Sequence, residues 1–228
     1  MGDGMSMPGG WTMPTMWMAM PGQSLWSAAR VFLIMWAAMM IAMMLPSTWP
    51  MLSLYRRVAV SSHQKHISLG TLLVGFGYFF VWTAFGAAAF AGGVLISHAA
   101  MSSERLSRAI PAGAGAALIL AGLYQLSSIK QACLLHCRSP LLLFGHLWRP
   151  GMLGALRVGV AHGAYCAACC WALMLMQMIL GVMSLFVMTL IAALIAIEKL
   201  WIHGPVFARI VGAVAVAAGM AIIIYALR

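Results

Sequence analysis

Charge is what this chain lacks. Only 7% of its 228 residues are charged, where a soluble domain carries about a quarter, and the acids are just Asp3, Glu104 and Glu198. With 64% hydrophobic residues and a mean hydropathy of +0.99, this excludes a water-soluble globule and predicts a polytopic membrane protein. The shortage of acids leaves a formal net charge of +10. Its Lys and Arg residues, however, are scattered between apolar runs, where topology determinants lie, so no nucleic-acid partner is expected. Signatures of common chemistry are missing as well. There is no phosphate loop, dinucleotide fingerprint or H-E-x-x-H, and Asp3, at the terminus, gives Ser-His-Asp catalysis no support. Residues 1–24 contain no Lys or Arg and no continuous apolar core, so they lack the pattern of a secretory signal peptide. No internal repeat is visible.

What is present is a series of apolar runs, several near the ~20 residues needed to cross a bilayer. They cover Leu25–Leu45, Leu69–Ile96, Ala109–Leu126, Val158–Leu180, Leu185–Lys199 extended towards Trp201, and Phe207–Leu227. Pro46 is expected to close the first and Pro205 to precede the last, while Gly181 and Ser184 mark a tight turn between the fourth and fifth. The expected fold is all-α: a transmembrane bundle of about six helices spanning 25–228, with an inner loop, 127–157, carrying Cys133 and Cys137. Residues 1–24 form a Met/Gly/Pro/Trp-rich outer segment, read as a loop or interfacial stretch with Trp11 and Trp17 at headgroup level. An outside N-terminus puts Arg56, Arg57, Lys65, Lys130, Arg138, Arg149, Arg157, Lys199 and Arg209 inside. Arg30, Arg105, Arg108 and Arg228 then fall on the outer side, so positive charge favours this orientation. Gly75, Gly77, Gly86, Gly113 and Gly115 in the second and third runs suit close helix approach.

Sulfur is the other abundant feature: 21 methionines and five cysteines. Thiolates and thioethers are soft ligands that select Cu(I) and other thiophilic metals, and polar or reactive groups held in a membrane are usually functional. In the fourth run, His162, Cys166, Cys170, Met174 and Met178 recur every four residues, one stripe of a helix, with Cys169 beside it. Cysteine also serves as a small hydrophobe and methionine as a gap filler, but three cysteines within five residues beside a histidine favour a site. Glu198 lies about 21 Å beyond the Ser184 turn and Cys166 about 22 Å before Gly181. The acid therefore returns to the cysteine level, as a ligand, proton acceptor or orienter of His162, or simply as a partner of Lys199. The first run offers Met40 and Met44 on one stripe, and Met35, Met39 and Met43 on the next. Cys133 and Cys137 are four apart, flanked by Lys130, His136 and Arg138, and a reducing inner face disfavours their pairing as a disulfide. Met5, Met7, Met13, Met16, Met18 and Met20 read as a flexible soft-metal collector or as plain tail.

Four motifs occur together: Trp36…Ala38-Met39-Met40…Met44-Leu45-Pro46-Ser47; Tyr124-Gln125-Leu126…Lys130…Cys133-Leu134-x2-Cys137-Arg138-Ser139-Pro140; Gly163-x2-Cys166-x2-Cys169-Cys170-Trp171-x-Leu173-Met174; and Glu198-Lys199. In these the chain resembles, over nearly its whole length, the bacterial domain-of-unknown-function family described as predicted metal-binding integral membrane proteins. Ala168 stands where a glycine would be expected. The resemblance implies a multi-helix protein of the bacterial inner membrane and supplies no reaction.

Together these readings predict a membrane protein that binds a soft metal, copper first, for acquisition, transfer or loading. Cys166, Cys169, Cys170, Cys133 and Cys137 are the metal ligands, with Met40, Met44, His162 and Glu198 as partners. Membrane lipid surrounds it, and a membrane or periplasmic protein is the expected partner. The alternatives are a thiol-redox enzyme and a structural subunit of a larger membrane complex.

Overall fold

The computed structural model describes residues 4–14, 17, 24–139, 147, 149–182 and 184–227. Among these the chain forms a short hairpin and then an all-α bundle of seven helices: α1 (Leu25–Ser61), α2 (Ile67–Ser102), α3 (Glu104–Leu126), α4 (Ser128–Arg138), α5 (Met152–Gly181), α6 (Leu185–Leu200) and α7 (Gly204–Ala226). Five of them, α1, α2, α3, α5 and α7, are long and apolar enough to cross a membrane. The bundle is apolar outside, with Trp26, Ile34, Leu72, Leu153 and Phe186 exposed, whereas Gln125, Lys130, His162, Gln177, Glu198 and Lys199 are buried. Water-soluble proteins do the reverse with their charges, and the pattern is consistent with helices that cross a membrane.

The helices depart from the sequence expectation at three points. First, α1 does not stop at Pro46. It runs 37 residues through Pro46 and Pro50, about 55 Å against a hydrocarbon core of about 30 Å. Proline removes a backbone donor to the carbonyl four residues back, yet the helix continues past both. Nearby hydroxyls bond other carbonyls of the same stretch, Ser47 Oγ and Thr48 Oγ1 donating to Met44 O at 2.9 and 2.8 Å and Ser53 Oγ to Pro50 O at 2.9 Å. Second, much of the expected inner loop is helix. Ser127 ends α3 in extended conformation, its Oγ accepts from Lys130 N at 3.2 Å, and the chain restarts as α4. Among the described residues the helices therefore number seven, α4 adding a short one to the expected spans, and residues 140–146 and 148 of that loop lie outside the described part. Third, the outer segment contains a hairpin, β1 (Gly4–Met7) with β2 (Trp11–Pro14), in which Met5 faces Met13 and Met7 faces Trp11. Trp11 and Trp17 are docked on protein. Trp11 Nε1 donates to Ser107 O at 3.0 Å, and Trp17 packs on Phe32 and Phe90. Met16, Met18 and Met20 lie outside the described residues.

Helix packing follows the small residues. The α3–α7 contact is the most extensive, and there Gly115 faces Gly219 and Gly122 faces Gly212 so closely that a Cβ on any of the four would fall 2.6–2.9 Å from the opposing carbonyl oxygen. The α2–α5 contact is the next largest; a Cβ on Gly77 would meet Leu156 O at 2.8 Å, and one on Gly159 would meet Val74 O at 2.2 Å. Gly86 of α2 leaves room for the Trp36 ring. Gly75 and Gly113, which the sequence also offers, face open space. The tight turn after α5 is as expected: Gly181 takes φ +128, and Ser184 Oγ caps α6 by accepting from Val187 N. One large core holds the thiols with Met39, Met40, Met43 and Met44 of α1; a smaller one, around Met51, Tyr55, Ala155 and Val158, fills the other end.

Candidate metal centre

Two helices bring the thiols together. Helix α5 carries Cys166, Cys169 and Cys170, all fully buried. Helix α4 packs against α5, and its last turn places Cys137 Sγ 3.4 Å from Cys169 Sγ, which is itself 3.3 Å from Cys170 Sγ. Cys137 also interacts with Cys166, and Cys169 Sγ donates back to Cys166 O at 3.2 Å. Four sulfurs from two helices thus form one cluster. Cys133, one turn before Cys137, meets Tyr124 instead of another thiol. All five cysteines are free. Cys137 and Cys133 are only part-buried, so they form the accessible edge of a closed site.

Helix α6 supplies the cations' geometry. Its short length returns Glu198 and Lys199 to the thiol level, as the rise per residue predicts. Lys199 Nζ donates to Cys166 Sγ at 2.8 Å, and Tyr78 OH of α2 lies 2.9 Å from the same sulfur. Glu198 does not pair with Lys199. It binds Lys130 of α4, Nζ to Oε2 at 2.7 Å with both side chains essentially unexposed, and accepts from Gln125 Nε2 at 2.9 Å. Lys130 Nζ also donates to Cys169 O. Arg138 Nη1 donates to Glu198 O at 3.3 Å. Burial works to lower the pKa of Lys130, but nearby Cys170 and Glu198, then Cys169, outweigh it and hold it above its ordinary value. The hydrogen bond with Cys166, with burial adding and Cys169 opposing, pushes the Cys137 thiol well up.

The remaining candidates divide. His162 lies one turn below Cys166, buried and stacked on Tyr78 at 5.5 Å, with Nδ1 unpartnered among the described residues. Met40 and Met44 are buried in the same core as the thiols. Glu198 stands one residue removed, acting through Lys130 on the backbone of the cysteine helix. Among the described residues no group of three His, Cys, Asp or Glu side chains stands ready to hold a metal ion. The sulfur spacing gives the reason: bonds of about 2.3 Å to a metal separate trigonal or tetrahedral sulfurs by roughly 3.8–4.0 Å, so thiols in mutual contact must spread a few tenths of an ångström to admit one. The donor set itself suits a soft ion, being all sulfur and shielded from water.

The sequence puts Lys130 beside Cys133 and Cys137 and offers Lys199 as a partner of Glu198, but it gives neither the Lys130–Glu198 pair nor Lys199, Tyr78 and Gln125 as members of this site. For the lysines a signal exists, since cations beside apolar runs are costly unless paired. Tyr78, in an unbroken apolar run, gave none.

Comparison with curated proteins and with solved structures gives no match. A family model, described as PpoB2 copper chaperone, matches residues 33–222. That range takes in every member of the thiol cluster and both lysines, and it agrees with the metal-binding membrane family that the motifs resemble. The chain belongs to the PpoB2 copper chaperone family.

Proposed function

We propose that the protein holds Cu(I) as cargo on Cys137, Cys166, Cys169 and Cys170 within a membrane and passes it to an acceptor protein. The observation that carries this reading is the four-thiol contact cluster, three of its members fully buried. Burial keeps water and competing oxygen ligands away, and sulfur selects the soft monovalent ion. Charge supports it too. Two thiolates around Cu(I) leave one negative charge, which Lys199, already on Cys166, cancels locally. Lys130 and Glu198 neutralise each other and fix the backbone of Cys169. His162, Met40 and Met44 border the cluster as auxiliary donors. Cys137 touches the buried thiols and is part-exposed, and Cys133 follows one turn away, so ligand exchange through these two leads copper toward a docked partner.

The protein sits in the bacterial inner membrane with its N-terminus outside. Lys130 and Lys199 are buried and no longer count as loop charges, yet seven inner cations still face four outer ones. Replacing Cys166, Cys169 and Cys170 by serine should abolish copper in elemental analysis of natively purified protein, and unchanged stoichiometry would refute the reading. The 3.4 Å approach of Cys137 to Cys169 also suits a thiol-redox enzyme. Mass spectrometry finding every thiol free in both oxidising and reducing media dismisses that alternative.

A further inference from the structure

Gln177 has no role in the thiol site, yet it is buried, 2% exposed, near the far end of α5. Its Nε2 donates to Met39 Sδ of α1 at 3.5 Å, and its Oε1 has no partner among the described residues. A buried amide oxygen left alone is costly, and each such group in a folded protein calls for an explanation. The surroundings supply one. Met174, one turn before Gln177, and Met43, one turn after Met39, are buried in the same core. Thioether sulfur is a lone-pair donor with no proton to give. Turning the amide over would merely exchange which of its ends meets Met39. The thioethers offer soft lone pairs to a soft cation, and the unpartnered amide oxygen adds a harder, weaker one.

Two contacts fix how the helices run. Met39 of α1 meets Gln177 of α5, while Met51 and Tyr55 of α1 share the second core with Ala155 and Val158 of α5. The two helices are therefore antiparallel, and a turn forward on α1 matches a turn back on α5. By helical rise Met43 lies one turn onward from Met39 on α1 and Met174 one turn back from Gln177 on α5, and Cys170 follows on α5, about 10 Å from Gln177 along the helix.

We propose that Met39, Gln177, Met43 and Met174 form a second, neutral site for Cu(I), a waystation between the outer end of the bundle and the thiol cluster. This deepens the copper reading above and rests on it for the identity of the ion. The site has no anionic ligand, so it leaves the ion's charge uncompensated and binds more weakly than thiolates. A site on a transfer path must have that property, because an ion has to leave as readily as it enters.

The test uses the full chain in lipid nanodiscs, titrated anaerobically with Cu(I) against a chromogenic competing chelator. The probes are a variant with all five cysteines changed to serine, and the same variant carrying M39L and Q177L. Folding is checked by helical circular dichroism. The cysteine-free chain is expected to retain a weaker Cu(I) site, and M39L/Q177L should reduce its affinity by roughly 10–100-fold or more. A folded cysteine-free chain that takes up no Cu(I), or one whose isotherm M39L/Q177L leaves unchanged, overturns the proposal. If the cysteine-free chain does not fold, M39L/Q177L is placed in the otherwise unchanged protein: loss of the weaker binding step supports the site, and an unaltered isotherm overturns it. The thiol reading fails separately, when wild type and cysteine-free chain bind alike, and that outcome leaves the second site standing. Metal-free stability separates a merely structural role. Leucine at 39 and 177 keeps the packing and removes a lone amide, so the melting temperature should hold or rise, and a fall overturns the proposal.

Discussion

The Lys130–Glu198 pair permits the most quantitative test of how this site is held. The two charges lie 2.7 Å apart with side-chain exposures of 0% and 1%. At an effective dielectric of about 20, their attraction is about 6 kcal/mol, most of it offset by the loss of hydration, so the intact pair is worth little net. Removing one partner is different, because the survivor stays buried and charged, at a cost of about 3–5 kcal/mol. Glu198→Gln should fall at the low end: its amide oxygen still accepts from Lys130 or Gln125, and Lys130 keeps the Cys169 carbonyl. Glu198→Leu should fall at the high end. The double variant Lys130→Met/Glu198→Leu should recover most of the loss, since replacing a buried pair by apolar groups is often neutral or stabilising. Reversible unfolding of the purified chain in mixed micelles, followed by near-UV circular dichroism, measures all three. A Glu198→Leu variant within about 1 kcal/mol of wild type, or a double variant no better than the single, would show that the pair does not hold α4 and α6 on the cysteine helix.

Other outcomes follow from the same geometry. Lys199→Met removes the cation on Cys166 and should lower Cu(I) affinity by roughly 10–100-fold in chelator competition, while Lys199→Arg restores part of it. Mild oxidation with a copper–phenanthroline reagent should link Cys137 to Cys169, read by peptide mapping, and Cys137→Ser should abolish the link. Gly159→Val drives side-chain carbon into the Val74 carbonyl. It should cost about 1–3 kcal/mol or more and lower copper occupancy with it, because Tyr78, on the displaced helix, touches Cys166.

The sequence by itself determined that the protein is helical, with helices long and apolar enough to cross a membrane. Apolar runs of bilayer length leave no other way to satisfy backbone groups in lipid. It also brought Cys166, Cys169 and Cys170 onto one helix and returned Glu198 to their level, since both are matters of helical rise and period. It misplaced the end of α1 at Pro46, because whether a helix stops at a proline or runs through it has no hydropathy signature. It counted Lys130 and Lys199 among the inner charges without their actual partners, because composition cannot tell a cation facing water from one turned inward to a partner on another helix. Only the packing of α4 and α6 on α5 decided that Cys137 joins the cluster while Cys133 does not, that Lys199 meets Cys166, and that Glu198 acts through Lys130. Those contacts join residues tens of positions apart, and helical periodicity fixes which face a residue occupies but not which face lies opposite.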